Sequence, residues 1–230
     1  MPDHAKIYKQ NPGIYSFLVK AEDYQHNLPA ALESIYPLFN KDVLDIGAGT
    51  GRVTQIAAPL ARNLTATDLS PAMLRFARED LGSHGFPWIN YCLADHRMLP
   101  FAPKSFDVIL SGWSLCYLYT WDKKNYLRNL NRAFQRFQRI LKPGGFVILI
   151  ETLGTGETTP VHVKELDEYY QYLDMLGFGL TWIRTDYAFR DYKTAAPVVE
   201  SFFGKDMLKK IIGNERAILP ECTGIWYRSF

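Results

Sequence analysis

Val43-Leu44-Asp45-Ile46-Gly47-Ala48-Gly49-Thr50-Gly51-Arg52 is the stretch on which the reading of this chain turns. A short apolar run carrying one acid ends in three glycines on alternate positions, and an amphipathic run (Val53, Ile56, Ala57, Leu60) follows. This is the pattern of a buried strand, a tight turn and a helix start. Glycine takes backbone angles that other residues avoid and leaves room where a Cβ would stand, so a ligand can come close. The helix behind the turn offers free N–H groups and the positive end of its dipole. A nicotinamide site would need G-x-G-x-x-G, whereas here the third glycine comes one position early and Arg52 takes its place. That shift argues against a pyrophosphate and for a smaller group at the turn. A P-loop is excluded, because no Gly-Lys-Ser/Thr follows.

Working outward, strands and helices alternate from residue 42 to 151. The first strand runs over Asp42–Ile46 and the second over Asn63–Thr67, ending in Asp68. Ser70-Pro71 reads as an N-cap with a first-turn proline, and Met73, Leu74, Phe76, Ala77 and Leu81 continue as a helical stripe. Trp88–Leu93 is a third strand closed by Asp95, and Phe106–Leu110 a fourth, followed by Ser111-Gly112-Trp113. A long helix is predicted from about Trp121 to Leu141, with Leu127, Leu130, Phe134, Phe137 and Leu141 at steps of three and four. Lys142-Pro143-Gly144-Gly145 stops it, and Phe146–Ile150 is the fifth strand. Near-continuous apolar strands alternating with helices point to a doubly wound α/β sheet covered on both faces, with its ligand at the carboxyl ends of the strands. Beyond residue 151 the chain reads as a loop to Pro160 and a helix around Val163–Leu176. A strand over Thr181–Phe189, two short helices broken at Gly204 and a last strand at Thr223–Tyr227 complete it.

The bulk numbers fit one ordinary globular domain, 1–230. Apolar residues make up 47% of 230 and charged residues 22%, and the net charge is +2, which points away from nucleic acid. Three scattered cysteines, with no Cys/His cluster, suggest neither a disulfide framework nor a metal site and suit a reducing, cytoplasmic setting. No signal peptide is read at the start, and no apolar run is long enough to span a bilayer.

Each candidate site residue has a functional and a packing reading. Asp68 can accept both hydroxyls of a ribose or cap the next helix. Leu69 and Met73 can cover a purine or belong to the core. Asp95 can accept an exocyclic amine, and His96 beside it is weighted towards an exposed loop residue. Tyr8, Tyr15 and Tyr24, on the helical arm 1–41, can reach a site or anchor the arm.

Together, Val43–Gly51, Thr67-Asp68-Leu69-Ser70-Pro71-Ala72-Met73-Leu74, Ala94-Asp95 with Leu99-Pro100-Phe101 and Ser105-Phe106-Asp107-Val108, and Leu141-Lys142-Pro143-Gly144-Gly145 stand in order and in register. The set resembles the class I S-adenosylmethionine-dependent methyltransferases, most of all the branch of the ubiquinone/menaquinone-biosynthesis enzymes and other small-molecule methyltransferases. The resemblance covers about residues 42–151. It implies a Rossmann-like seven-stranded sheet, mostly parallel with an antiparallel edge, and S-adenosyl-L-methionine as cofactor. It assigns Asp45, Gly47, Ala48, Gly49 and Gly51 to the methionine end of the cofactor and Asp68 to the ribose. Leu69 and Met73 fall at the adenine face, Asp95 with His96 at the adenine amine, and Ser111 and Gly112 near the sulfonium. Arg52 meets the methionine carboxylate or a surface salt bridge. Substrate contact falls to Tyr15, Tyr24 and Trp113.

The function so implied is methyl transfer to an O, N or C atom of a small molecule by in-line displacement, for which positioning and desolvation carry much of the catalysis. No base is named convincingly: His162, Glu151, Tyr117 and Tyr119 fall on the substrate side and read as loop or packing residues. The absence of an Asn-Pro-Pro-Tyr-type motif after the fourth strand speaks against adenine or glutamine amino-methylation, and no Pro-Cys nucleophile is present. The arm 1–41 and the segment 194–212 are the expected substrate cover, with aromatics such as Trp182, Tyr187 and Phe202. The alternatives are a methyltransferase of a protein or RNA acceptor and a non-catalytic S-adenosylmethionine-binding sensor.

Overall fold

A computed structural model describes residues 12–230, with side chains from Tyr15 onward; Tyr8 and the rest of 1–11 lie outside the described residues. The chain opens with helices α1 (Pro12–Ala21) and α2 (Asn27–Ile35). Strand and helix then alternate through β1 (Asp42–Ile46), α3 (Arg52–Ala57), β2 (Asn63–Asp68), α4 (Pro71–Ser83), β3 (Asn90–Leu93) and β4 (Phe106–Gly112). A short α5 (Tyr117–Thr120) and the long α6 (Tyr126–Ile140) lead into β5 (Leu141–Thr155). The remainder is α7 (Asp167–Met175), β6 (Gly179–Arg184), β7 (Tyr187–Phe189), α8 (Tyr192–Phe203), β8 (Ala217–Leu219) and β9 (Glu221–Ser229).

The main sheet has seven strands in the order β3-β2-β1-β4-β5-β9-β6. The first five are parallel, and β9 runs antiparallel between β5 and the edge strand β6. The order reverses direction between β1 and β4, so the crevice above β1 and β4 is where such a sheet receives a ligand. Alternate residues of the central strands feed separate cores, as the pleat demands. Leu44, Ile109, Val147 and Leu149 face α6 and α7 with Phe134, Phe137, Tyr169 and Trp226. Val43, Val108, Leu110, Ile148 and Ile150 face α3 and α4 with Val53, Ala57, Leu64 and Leu81. Each such side chain, fully buried, contributes roughly 1.5–3 kcal/mol.

Local chemistry explains most boundaries. Ser70 Oγ accepts the Met73 N–H at 3.4 Å, with Pro71 at the first helical position, so α4 starts where the sequence predicts. The long helix does not run from Trp121 to Leu141. It begins at Tyr126, Leu127 is 48% exposed, and the buried stripe runs Leu130, Ala133, Phe134, Phe137, Ile140. Leu141 already belongs to β5, and Lys142–Gly145 bulge out between the pairs Phe106/Leu141 and Val108/Phe146. The Lys142 ammonium ties this bulge to Asp42 (2.5 Å) and Asp107 (2.8 Å). The expected loop after residue 151 is in part strand, because β5 runs on to Thr155 against β9. The single strand predicted over Thr181–Phe189 is two. β6 closes the main sheet, whereas β7 leaves it to pair with β8.

That departure creates a third core. Leu18 of α1, Tyr187 and Phe189 of β7, Ala195, Val199 and Phe202 of α8, and Ala217 and Leu219 of β8 pack together. The arm and the segment around 194–212 thus share an apolar cluster of their own. The balanced charge hides one basic feature: Arg128, Arg132, Arg136 and Arg139 line up on α6 at helical spacing. Among the described residues no helix is long and apolar enough to cross a membrane, and no group of His, Cys, Asp and Glu side chains could hold a metal ion.

Candidate active site

The glycine turn connects β1 to α3 at the switch point. Gly47, Gly49 and Gly51 all have positive φ (67°, 55° and 94°), which only glycine adopts without strain. A Cβ on Gly47 would fall 1.7 Å from Ser114 Oγ, and one on Gly51 would lie 2.8 Å from Leu81 Cδ1. Two of the three glycines therefore admit protein side chains, the loop after β4 and helix α4, rather than a ligand directly. Gly49 differs: its nearest neighbour is the Tyr15 ring, with Cε1 3.4 Å from where a Cβ would stand. The arm thus reaches the turn through Tyr15. Burial pushes the Tyr15 hydroxyl up to about 12, against the pull of the nearby Arg52 charge.

Two acids frame the turn. Asp45 is fully buried; its Oδ2 accepts the Thr54 hydroxyl at 2.5 Å, and its Oδ1 has no hydrogen-bond partner among the described residues. Burial raises this carboxyl to about 7. Asp68 ends β2 with Oδ2 accepting the Gly49 N–H at 2.9 Å and Oδ1 accepting the Ser70 N–H at 2.8 Å. Its pKa is also raised by burial. Ser70, not Asp68, caps α4, so the capping alternative for Asp68 falls away. Leu69 is half-exposed beside it, whereas Met73 is core at 2% exposed.

Asp95 is half-buried and its carboxylate is gripped by Arg97, from Nε (2.8 Å), Nη2 (2.5 Å) and the backbone N–H (2.8 Å). His96 is not the exposed loop residue that the sequence predicts. It is 7% exposed, Nε2 lies 3.0 Å from Ser114 Oγ, and Nδ1 has no hydrogen-bond partner among the described residues. Burial lowers its pKa to about 4, so the ring is neutral at pH 7. The reason is the short 3₁₀ turn His96–Met98 capped by Asp95, which folds the ring inward below the loop after β4.

At the end of β4, Ser111 is fully buried, and its Oγ has no hydrogen-bond partner among the described residues. Gly112 packs on Val53; a Cβ there would stand 2.6 Å from Val53 Cγ2. Trp113 holds φ 48°, a conformation costly for a bulky residue. Its N–H donates to the Ile150 carbonyl at 2.7 Å, and its ring carries the Arg52 guanidinium 3.3 Å from the centroid. Arg52 also lies 2.5 Å from Glu22 Oε1, with side chains 14% and 1% exposed. It is a salt bridge, but a buried one between arm and turn rather than the surface pair considered from sequence.

Tyr24 is partly exposed and joined by its backbone to Asp186. Trp182 is 44% exposed on the edge strand, outside the third core in which Tyr187 and Phe202 sit. Glu151 is buried, accepting the Cys116 N–H and the Tyr169 hydroxyl, each at 3.1 Å; burial raises it to about 7. Cys116 is packed, as expected. His162 is exposed beside Asp167. Glu22, Thr54, Ser114, Thr185, Glu221 and Thr223 escaped the sequence reading, because each reaches the site through tertiary contacts and belongs to no local motif.

Residues 44–149 match the model of a methyltransferase domain family. The chain is 33% identical over 147 residues to a demethylmenaquinone methyltransferase of Tropheryma whipplei, covering 64% of this chain and 55% of that protein. It is 28% identical over 141 residues to the uncharacterized methyltransferase YodH of Bacillus subtilis, covering 61% and 56%. The matches thus span little more than half the length of these relatives. In fold it is similar to the Haemonchus contortus phosphoethanolamine N-methyltransferase 1 crystallised with phosphoethanolamine and S-adenosylhomocysteine. That likeness has a TM-score of 0.54 and 21% identity over 96% of this chain and 47% of that one.

Proposed function

We propose that this chain is a class I S-adenosylmethionine-dependent methyltransferase, a reading supported by the methyltransferase-domain match over residues 44–149 and by the similar demethylmenaquinone methyltransferase, and that it transfers the methyl group of S-adenosyl-L-methionine to a small-molecule acceptor. The observation that carries the reading is the pairing of Asp68 with Gly49 across the β1–α3 turn, beside the unpartnered Oδ1 of Asp45. The donor set fits the cofactor's polar ends. A buried acid with one bare oxygen suits the methionine amino group, and a carboxylate already steering the turn suits ribose hydroxyls. We assign Asp45 and the turn of Gly47, Ala48, Gly49 and Gly51, through its backbone, to the methionine end and Asp68 to the ribose. Leu69 stays with the adenine face, Asp95 and His96 with the adenine side, and Ser111 and Gly112 with the sulfonium end. Met73 acts from the core behind Leu69. Arg52 is tied to Glu22 and Trp113 and serves the site by fixing the arm on the turn.

When bound, the cofactor supplies an electrophilic methyl group on a good leaving group. This chain's part is to hold the acceptor in line and to exclude water. The arm and the segment 194–212 are the proposed cover, an assignment supported by their shared apolar cluster with Tyr187 and Phe202. A small acceptor and a cytoplasmic setting accord with the quinone methyltransferase among the relatives and with a charge balance near neutral.

The test has two parts. Calorimetry should show S-adenosylmethionine and S-adenosylhomocysteine binding; binding of neither would sink the reading. Release of S-adenosylhomocysteine dependent on an added acceptor then separates an enzyme from a sensor.

A further inference from the structure

A second buried polar cluster lies beside the glycine turn, where the arm meets β5, β7 and β9. Glu22 follows α1, Thr185 separates β6 from β7, Tyr187 opens β7, and Glu221 opens β9 opposite Thr155 of β5. Glu22 and Glu221 are 8% and 1% exposed as residues. Glu22 is ion-paired with Arg52 at 2.5 Å, and accepts the Thr185 hydroxyl at 3.2 Å and a hydrogen bond from Tyr187. The Thr185 and Thr223 hydroxyls are 2.5 Å apart. Glu221 Oε1 accepts the Thr152 hydroxyl at 2.6 Å and the Thr155 hydroxyl also bonds this carboxyl, while Oε2 is buried with no hydrogen-bond partner among the described residues.

The cluster therefore sets two carboxyl groups against one guanidinium, and the bare oxygen belongs to the carboxyl that Arg52 does not pair. Burial, then the neighbouring Glu22 charge, raise Glu221 to about 8, so near neutral pH it holds its proton and gives it up when a cation enters. It already shows how it holds a cation, with Arg52 between the Glu22 carboxylate and the Trp113 face.

We propose that this cluster receives the methyl acceptor, that the acceptor is a small amine, and that Glu221 Oε2 binds its ammonium group and takes its proton. The inference rests on the methyltransferase reading above. One N–H bond breaks; its electron pair stays on nitrogen and the proton bonds to Glu221 Oε2. The nitrogen lone pair forms the new N–CH₃ bond as the C–S pair returns to sulfur, leaving a methylated ammonium and S-adenosylhomocysteine.

Other groups face Glu221: Glu22 and Arg52, Tyr187 of β7, Tyr170 of α7 and the adjacent Cys222. Its backbone N–H donates to Asp186, which pairs with Arg184. Burial raises both tyrosines far above neutrality and Cys222 to about 11. Glu22 is held by Arg52. Burial raises the Glu22 carboxyl as well, against the pull of Arg52, and the Glu221→Gln variant decides which of the two gives up a proton when the cluster takes up an amine.

The experiment is calorimetry of benzylamine binding to the full chain saturated with S-adenosylhomocysteine, at pH 7 in phosphate and in Tris. An ammonium against Glu221 lowers its pKa, so close to one proton should be released for each amine bound. Glu221→Gln should release none and bind benzylamine at least tenfold more weakly, with its S-adenosylhomocysteine affinity unchanged. Benzylamine should also drive S-adenosylhomocysteine formation from S-adenosylmethionine, and benzyl alcohol should not. No benzylamine binding by a chain that holds S-adenosylhomocysteine, binding without proton release, or turnover of the alcohol alone would overturn the amine assignment and leave the methyltransferase reading standing. Failure of the wild-type chain to bind S-adenosylhomocysteine would remove both. The wild-type proton count needs no variant to fold.

Discussion

Asp68 Oδ2 accepts the backbone N–H of Gly49 at 2.9 Å, so the acid ending β2 sets the shape of the turn ending β1. The other oxygen holds the Ser70 N–H. Asp68→Ala frees both donors and removes the proposed ribose acceptor. It should weaken S-adenosylmethionine binding by about tenfold or more, since hydrogen bonds to a charged group are worth about 1.5–3 kcal/mol. Calorimetry checks this, and an unchanged affinity would show that the ribose lies elsewhere.

The turn's glycines give a second, graded outcome. Gly47→Ala places a methyl group 1.7 Å from Ser114 Oγ at φ 67°, so the loop after β4 must move. Gly85→Ala is the matched control, with φ 94° and nothing within 4 Å of the added carbon. The control carries only the left-handed backbone cost of about 1 kcal/mol. Gly47→Ala should cost at least about twice that by urea denaturation and abolish cofactor binding, given what overpacking adds. Equal losses would mean that Ser114 yields freely.

Much of this was legible because it is local. Alternating glycines, a Ser-Pro cap and apolar runs ending in acids are each set by neighbours within a few residues, and they fixed the parallel half of the sheet and the positions of Asp45 and Asp68. What stayed hidden is set by distant chain. His96 reads as a loop histidine until the loop carrying Ser114 is folded over it. Arg52 reads as a surface charge until Glu22 arrives from the arm. Nothing local marks Glu221, which lies 69 positions from its partner Thr152. The split of Thr181–Phe189 into two strands follows from β8, which β7 meets only through later chain.

Two buried groups should tilt stability with pH in opposite senses. Burial raises Glu151 from 4.5 to about 7. Its stabilising contribution is complete below pH 4.5 and is lost as pH rises through 7, by up to about 3 kcal/mol at 1.36 kcal/mol per pH unit. His96 is lowered from 6.5 to about 4, so its contribution is complete above pH 6.5 and is lost as pH falls towards 4. Glu151→Gln keeps an acceptor for Cys116 and Tyr169 and should make unfolding free energy between pH 4.5 and 7 rise more steeply with pH than in the wild type. His96→Gln should do the reverse. Denaturation series across that range decide; parallel curves for all three chains would refute both assignments.

The Arg52–Glu22 pair ties the arm to the turn. With side chains 14% and 1% exposed, it is a desolvated pair, not a surface one. Removing one partner leaves the other charge buried and uncompensated, so Arg52→Ala should cost about 3–5 kcal/mol. Glu22→Gln removes the stranded carboxylate, so the double variant should be at least about 1 kcal/mol more stable than Arg52→Ala alone. Arg52→Lys keeps the charge but gives up the guanidinium placed over the Trp113 ring, and should fall between the wild type and Arg52→Ala. A double-mutant cycle by urea denaturation measures the coupling. Strict additivity would mean that the arm is held by its apolar contacts through Leu18 and Tyr15 instead, and that Arg52 is available to a ligand's carboxylate.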